Sequence, residues 1–253
     1  MKFWAPLQRG TIIRRYKRFF VDIELENGSC VTAHCVNTGA MMGLAQPGSI
    51  AWVCPKKPQS TGKLPFVWMM EEVQEEKETI LVGTNTTIPS ALVKEALMER
   101  QFPQWSCMKT LQSEPRLGAS RLDFLLTLGD LSLLWIEVKN VHLSHQSIAL
   151  FPDCVTQRGT KHLNILTELA HQGKRTAMIY VVQRNDCSGF QVAGCLDSDY
   201  GKAFEKAQQA GVIMWAYGCV LSLDTIVLQP TPLKIQGVRW APLKKFFNFE
   251  KGS

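Results

Sequence analysis

Two short segments carry side chains whose types and spacing could do chemistry: Ser120-Arg121-Leu122-Asp123-Phe124-Leu125-Leu126 and Trp135-Ile136-Glu137-Val138-Lys139. In each, charge interrupts a run that is otherwise suited to burial, and burying charge without a partner is expensive. Glu137 and Lys139 are two apart, so on a strand they project from the same face. Asp123 precedes them across a turn at Gly129-Asp130, and register decides whether the three converge. A two-residue loop pairs Leu128 with Leu131, which puts Asp123 opposite Ile136 and points Glu137 away. A three-residue loop pairs Leu128 with Ser132, placing Asp123 opposite Glu137 and Arg121 opposite Lys139. A glycine in the loop suits the bulged three-residue hairpin.

Only the second arrangement makes a site. Its carboxylates would lie about 5 Å apart and repel unless positive charge sat between them. A hard divalent cation, Mg²⁺ or Mn²⁺, meets both through oxygen, and its waters can supply the nucleophile for phosphodiester hydrolysis. Lys139 would stabilise charge developing on the phosphate or help orient the water. The same spacing also describes an ordinary ion pair, of Asp123 with Arg121 or Lys139 and of Glu137 with Lys139. For an arbitrary D…E-x-K pattern that is the commoner case.

The elements that must position these groups fall into two regions. Residues 1–83 read as short strands divided by turns: an extended run Arg14 to Leu25, the hairpin signal Asn27-Gly28, and a second run from Ser29 to Val36. Ile50 to Val53, Lys63 to Val73 and Thr79 to Val82 complete a small all-β unit, expected as a five-stranded OB-like barrel. From 84 to 230 the period changes. Pro89 suits the first turn of a helix that carries Ile88, Leu92 and Ala96 on one face. Extended runs follow at Trp105–Gln112, Arg121–Leu128 and Ser132–Val141. Then come a helix from Thr156 to His171, a strand Arg175–Val182, a helix Tyr200–Ala210 and a strand Val212–Val220. The order α-β-β-β-α-β-α-β predicts a mixed α/β domain. Residues 231–253, with Lys244-Lys245-Phe246-Phe247, read as a tail or edge extension.

The chain has 253 residues, 45% hydrophobic and 20% charged, an ordinary globular balance with length for two domains. No apolar stretch reaches the length of a membrane-spanning helix, and Gln8-Arg9-Gly10 interrupts the N-terminus before a signal core can form. A cytoplasmic location with no membrane partner is the expectation. Eight cysteines are spread along the chain without a C-x-x-C pair, so thiols rather than disulfides or a zinc ribbon are expected. The net charge of +6 permits a polyanionic partner. Arg14-Arg15-Tyr16-Lys17-Arg18-Phe19-Phe20 interleaves cations with aromatics, as nucleic-acid-binding barrels do. Strict alternation puts Arg14, Tyr16 and Arg18 on one face and Arg15, Lys17 and Phe19 on the other. An edge strand blunted by charge competes with that reading. At the helix start near Thr156, Arg158 and Lys161 suit phosphate approach, or form a solvated first turn capped by Thr156. His34 and Asn37-Thr38-Gly39 form a polar patch whose chemistry is not readable.

Asp123 followed by Glu137-Val138-Lys139 resembles the PD-(D/E)-x-K motif of restriction-endonuclease-like proteins. The wider context resembles the bacterial sugar fermentation stimulation protein A family. The matching stretches are Arg15–Phe19, His34–Met41, Ser120–Phe124, Ile136–Val141 and Phe151–Leu163. Across about residues 3 to 230 the resemblance implies an OB-like barrel, a nuclease-like core and DNA binding; it does not by itself imply cleavage. Carried over, Asp123 and Glu137 would be metal ligands and Lys139 the motif lysine. Glu114 matches the family's upstream acidic residue, but Pro115 follows it and the segment to Asp123 is shortened. Leu122 stands where the generic motif has proline. The alternative function is a noncatalytic DNA-binding regulator linked to sugar metabolism, and a third is a small-ligand sensor, which would need a closed apolar pocket.

Overall fold

Residues 1–243, apart from Pro58, Thr61, Glu76 and Lys77, are described by a computed structural model. The Lys244–Phe247 tail lies outside the described residues. The first region supplies β1 (Gln8–Tyr16), β2 (Phe20–Leu25), β3 (Cys30–His34), β4 (Ile50–Pro55), β5 (Phe66–Glu75) and β6 (Glu78–Gly83). They run in the order β3-β2-β1-β4-β5-β6, and a parallel pairing of β3 with β5 closes the first five into a barrel. Ile12, Val21, Ile23, Ala33, Val53 and Trp68 fill it. The Asn27-Gly28 hairpin forms as expected, with Gly28 at φ +79°.

Arg14 to Leu25, however, is not one extended run. The chain reverses at Lys17-Arg18-Phe19, so that Tyr16 pairs with Phe20, and Lys17 and Arg18 take left-handed φ values of +48° and +64°. No glycine, asparagine or proline marks this turn, which is why the segment reads as continuous strand.

The second region opens with α1 (Ile88–Met98), which buries Ile88, Leu92, Val93, Ala96 and Leu97. The run expected from Trp105 begins instead with a short 3-10 turn, Pro103–Trp105, whose indole stacks on Trp215. Four strands follow: β7 (Thr110–Ser113), β8 (Arg116–Leu117), β9 (Ser120–Arg121) and β10 (Phe124–Thr127). Next come β11 (Leu133–Val141), β12 (Leu143–His145), β13 (Ile148–Phe151), α2 (Gln157–His171), β14 (Arg175–Val182) and β15 (Gly189–Val192). The chain ends in α3 (Ser198–Gln209), β16 (Ile213–Leu221), β17 (Ile226–Pro232) and β18 (Lys234–Val238). The main sheet has the order β17-β16-β14-β11-β10-β7, with β11, β14 and β16 parallel. A second sheet, β12-β13-β15-β18, packs beside it.

Side chains alternate across the main sheet. Ile136, Val138, Ile179 and Val181 face α1, whereas Trp135, Met178, Tyr180 and Val182 face α2 and α3. Glu137 and Lys139 share the parity of Trp135 and therefore project on the α2 side. The second sheet departs from the predicted element order. Its β12–β13 hairpin turns at Gln146 and Ser147 in left-handed conformation, again without glycine. Its strands are three to five residues long, too short for a clear period.

The two regions meet along a polar seam. Gly83 N donates to Gln183 O at 2.8 Å, and a Cβ on Gly83 would sit 2.5 Å from Gln183 Oε1, so this approach requires glycine. Buried Arg184 donates to Asp186 at 2.6 and 2.7 Å, to Glu75 of the barrel at 3.3 Å, and to the His142 carbonyl at 2.9 Å.

Candidate active site

The hairpin between β10 and β11 sets the register. Leu128 N donates to Ser132 O at 2.9 Å, a three-residue loop, and Phe124 pairs with Ile136. Asp123, one residue earlier, therefore lies opposite Glu137. The loop's left-handed residue is Leu131, at φ +65°, and not Gly129. Asp130 supports it, accepting from Ser132 N at 3.0 Å and Ser132 Oγ at 2.6 Å, a side-chain turn that leaves the glycine dispensable for the backbone angle.

Asp123 accepts from Val138 N at 2.7 Å through Oδ2 and from Ser90 Oγ of α1 at 3.0 Å through Oδ1. Burial first, and the neighbouring Glu137 charge second, push its carboxyl up to about 6, against the pull of Val138 N–H, Lys139 and Ser90. Glu137 goes the other way. Burial disfavours its charge, but the Lys139 ammonium and the His162 ring outweigh burial and hold its carboxyl below the usual range. Lys139 Nζ lies 2.5 Å from Glu137 Oε1 and 3.3 Å from His162 Nδ1, and His162 Nδ1 also contacts Glu137 Oε1. The two neighbouring carboxyls are thus driven in opposite directions by their surroundings.

These groups line a cleft of about 850 Å³. Its other wall comes from the barrel, where Arg15 Nη2 donates to the carbonyls of Asn37 and Gly39, both at 2.9 Å. Asn37 Oδ1 receives Gly39 N at 2.9 Å, and Asp153, beyond β13, receives Met41 N at 2.7 Å. Asn37-Thr38-Gly39 thus supplies a loop on the cleft wall, while His34 stays in β3 opposite Phe20 and is not among the cleft residues. Arg18, Arg158 and Gln157 stand along the same cleft.

The expected residues do not all meet there. The bulge between Ile12 and Arg14 and the turn at Lys17 break the alternation of β1, so Arg15 and Arg18 share the cleft while Arg14 leaves it. Arg14 bonds Asp22 at 2.9 Å and lies 4.9 Å over the Tyr16 ring, and exposed Lys17 is not on the cleft wall. Arg158 and Lys161 separate around α2. Arg158 lines the cleft and Lys161 faces the next groove. Glu114 stays outside. Its backbone pairs with Asp123, but its left-handed φ of +52° turns the carboxylate into solvent beside Arg121 at 3.2 Å. Sequence reasoning did not assign Ser90, Asp153 or the His162 contact. Only His162 carried a signal: it lies one turn beyond Arg158 on the motif-facing side of an amphipathic helix.

The donor set fits a hard divalent cation. It is two carboxylates on adjacent strands, and among the described residues no group of three or more His, Cys, Asp or Glu side chains is placed to hold a metal ion. Mg²⁺-like ions are held by one or two carboxylates and keep their waters, whereas zinc needs more nitrogen or sulfur. The Asp123 carboxyl is raised by burial first and by the Glu137 charge second, and a cation between the two carboxylates would relieve both.

Comparison with known proteins agrees with the architecture. The family model for the sugar fermentation stimulation protein RE domain matches residues 87–225, and that for the SfsA N-terminal OB domain matches residues 13–82. The sugar fermentation stimulation protein homolog of Paramagnetospirillum magneticum is 42% identical over 90% of this chain and 95% of its own. That of a Jannaschia species is 41% identical over 92% and 97%. The solved structure of Pyrococcus furiosus SfsA in complex with Ca²⁺ superposes with a TM-score of 0.84 at 25% identity, covering 93% of this chain and 98% of that one. With an OB-type barrel, a restriction-endonuclease-like second domain and full-length relatives at this identity, the chain belongs to the sugar fermentation stimulation protein family.

Proposed function

We propose that this protein binds DNA across the cleft between its two domains and hydrolyses a phosphodiester there with a divalent cation, Mg²⁺ or Mn²⁺. The observation that carries the reading is the convergence of Asp123 and Glu137, two carboxylates with one of them raised to about 6, in a cleft walled by Arg15, Arg18 and Arg158. The relative from Pyrococcus furiosus was solved in complex with Ca²⁺, another oxygen-seeking cation. When bound, such an ion supplies Lewis acidity toward the phosphate and lowers the pKa of a water molecule.

The chain's own groups divide the remaining work. Asp123 and Glu137 would hold the ion; Ser90 and Val138 N–H fix the orientation of Asp123, and Lys139 and His162 fix Glu137 through Oε1. Lys139 Nζ lies beside Glu137, where it would donate to a phosphate drawn into the cleft. Arg18 and Arg158 draw the backbone in by neutralising phosphates, which is sequence-independent and salt-dependent. The cytoplasm, where DNA and magnesium are both at hand, is the compartment this reading assigns; among the described residues no helix is long and apolar enough to cross a membrane.

The test is incubation of purified protein with single- and double-stranded DNA and RNA, in Mg²⁺, in Mn²⁺ and in chelator. Cutting of at least one substrate only with metal, lost in Asp123→Asn and Glu137→Gln, is the expected result. A wild-type protein that binds DNA tightly and cuts nothing would leave the noncatalytic regulator as the function.

A further inference from the structure

Beside the cleft, the β8–β9 hairpin overhangs α2 and forms two joined grooves of about 690 and 720 Å³. Neither contains Asp123 or Glu137. The first shares Gln157 and Arg158 with the catalytic cleft, and the second shares Gln157 and Lys161 with the first, so one trench runs continuously along α2. Its chemistry changes along its length. The end nearest the cleft carries Arg116, Arg121, Arg158 and Lys161. Arg116, Arg158 and Lys161 are exposed and make no ion pair among the described residues. Arg121 pairs with Glu114 across 3.2 Å at the surface, a contact worth little and easily exchanged. The far end is floored by Leu117, Ile165 and Leu169, with the Ala119 tip and exposed Val155 at its rim. Glu168 and Asp199 stand at that end as acceptors with exposed Lys174 beside them, whereas Asp197 is already engaged by Thr156 N at 2.8 Å and Tyr200 N at 3.0 Å.

We propose that this trench binds an unpaired nucleotide of the strand whose neighbouring phosphate lies at Asp123 and Glu137. The proposal rests on the nucleic-acid reading above. A duplex hides its bases and presents phosphates outward, so it has no use for an apolar floor behind a cationic mouth. An unpaired nucleotide matches both ends: its phosphates meet the four cations, and its base lies against Leu117 and Ile165. Glu168 and Asp199 can accept from base amino groups at the far end, while Lys174 at its rim leaves that end mixed in charge, so the concentration of four cations at the mouth sets where the phosphates lie. The β8–β9 hairpin is thereby a strand clamp and Arg116 and Arg121 are binding residues. The shared chemistry is a single strand, of DNA or RNA.

The test is fluorescence anisotropy of the full chain in Ca²⁺ with labelled 16-mers: single-stranded DNA, single-stranded RNA, blunt duplex DNA, and DNA strands with one abasic nucleotide walked along the sequence. The variants are Arg116→Gln with Arg121→Gln, Ala119→Glu at the exposed tip, and Arg18→Gln as a report on the cleft, each checked for an unchanged melting temperature. Single strands should bind more tightly than the blunt duplex, and the DNA and RNA arms identify the sugar. The double variant should flatten the slope of log K against log salt by about 1.4, for two lost phosphate contacts on a single strand. One abasic position should weaken binding about fivefold, corresponding to about 1 kcal/mol. If the hairpin variants bind single strands like wild type while Arg18→Gln weakens them, the trench is not used and the cleft reading stands. Duplex bound as tightly as strand, with no sensitive abasic position, overturns the proposal equally. A wild type that binds no nucleic acid overturns the reading beneath it.

Discussion

Replacing Asp123 with asparagine should stabilise the protein while removing its cation site. In the folded chain the Asp123 carboxyl is raised from 3.8 to about 6, so between roughly pH 4 and 6 the folded state binds a proton that the unfolded state does not. Wild-type stability therefore declines as pH rises through that window and the deficit is constant above it. A shift of this size corresponds to an upper limit of about 3 kcal/mol, which solvent at the cleft mouth reduces to about 1–2 kcal/mol. Asparagine keeps both hydrogen bonds: its Oδ1 accepts from Val138 N–H, and its amide donates to Ser90 Oγ in place of accepting from it. Urea unfolding from pH 4.5 to 8 measures the difference directly. Asp123→Asn should exceed wild type by about 1–2 kcal/mol at pH 8, with the gap closing toward pH 4.5. Millimolar Mn²⁺ should raise the melting temperature of wild type and not of the variant. A variant less stable than wild type at pH 8, or a gap that does not change with pH, would refute the reasoning that burial beside a second carboxylate makes the Asp123 charge costly.

Other perturbations test the surroundings. Lys139→Met leaves the buried Glu137 with His162 alone and should cost about 2–4 kcal/mol at pH 8 by denaturant unfolding, since half of a buried pair is removed. Arg184→Met removes the buried contacts to Asp186, Glu75 and the His142 carbonyl; a loss of about 3–5 kcal/mol is expected, visible as a lower calorimetric Tm. Gly159→Ala would place a Cβ 2.8 Å from Thr156 Cγ2 and 3.0 Å from Tyr200 Cε2, in the capped first turn of α2. It should destabilise by about 1–3 kcal/mol, through overpacking, on a thermal melt.

Much of this was legible because the motif strands obey simple periodicity. The two-residue spacing of Glu137 and Lys139 fixes their shared face, and of the two registers that the loop allows, the three-residue one that suits a site is the one formed. α2 and β14 were readable to their ends, since Thr156 caps the one and an unbroken apolar run makes the other. Illegible parts share a physical cause. The turns at Lys17-Arg18 and Gln146-Ser147 adopt left-handed angles with residues that carry no turn signal, and at Leu131 the angle falls on leucine beside the Asp130 side-chain turn rather than on Gly129. Missing the first of these scrambled the faces of Arg14, Arg15, Lys17 and Arg18. Glu114, which the resemblance offers as a possible further metal ligand, lies outside the cleft for the same reason, because its carboxylate direction depends on one backbone angle. Ser90 and Asp153 approach the motif from α1 and from beyond β13, long-range contacts that a single chain's pattern does not encode.

The most direct measurement of the central claim is anomalous diffraction from crystals grown with Mn²⁺ and a strand carrying a non-hydrolysable phosphate. The account predicts one peak bonded to oxygens of both Asp123 and Glu137, at about 2.1 Å as for Mg²⁺-like ions, with a strand phosphate on the same ion and Lys139 Nζ beside it. A cleft that holds the strand with no ion between those carboxylates, or an ion bound elsewhere, would contradict it.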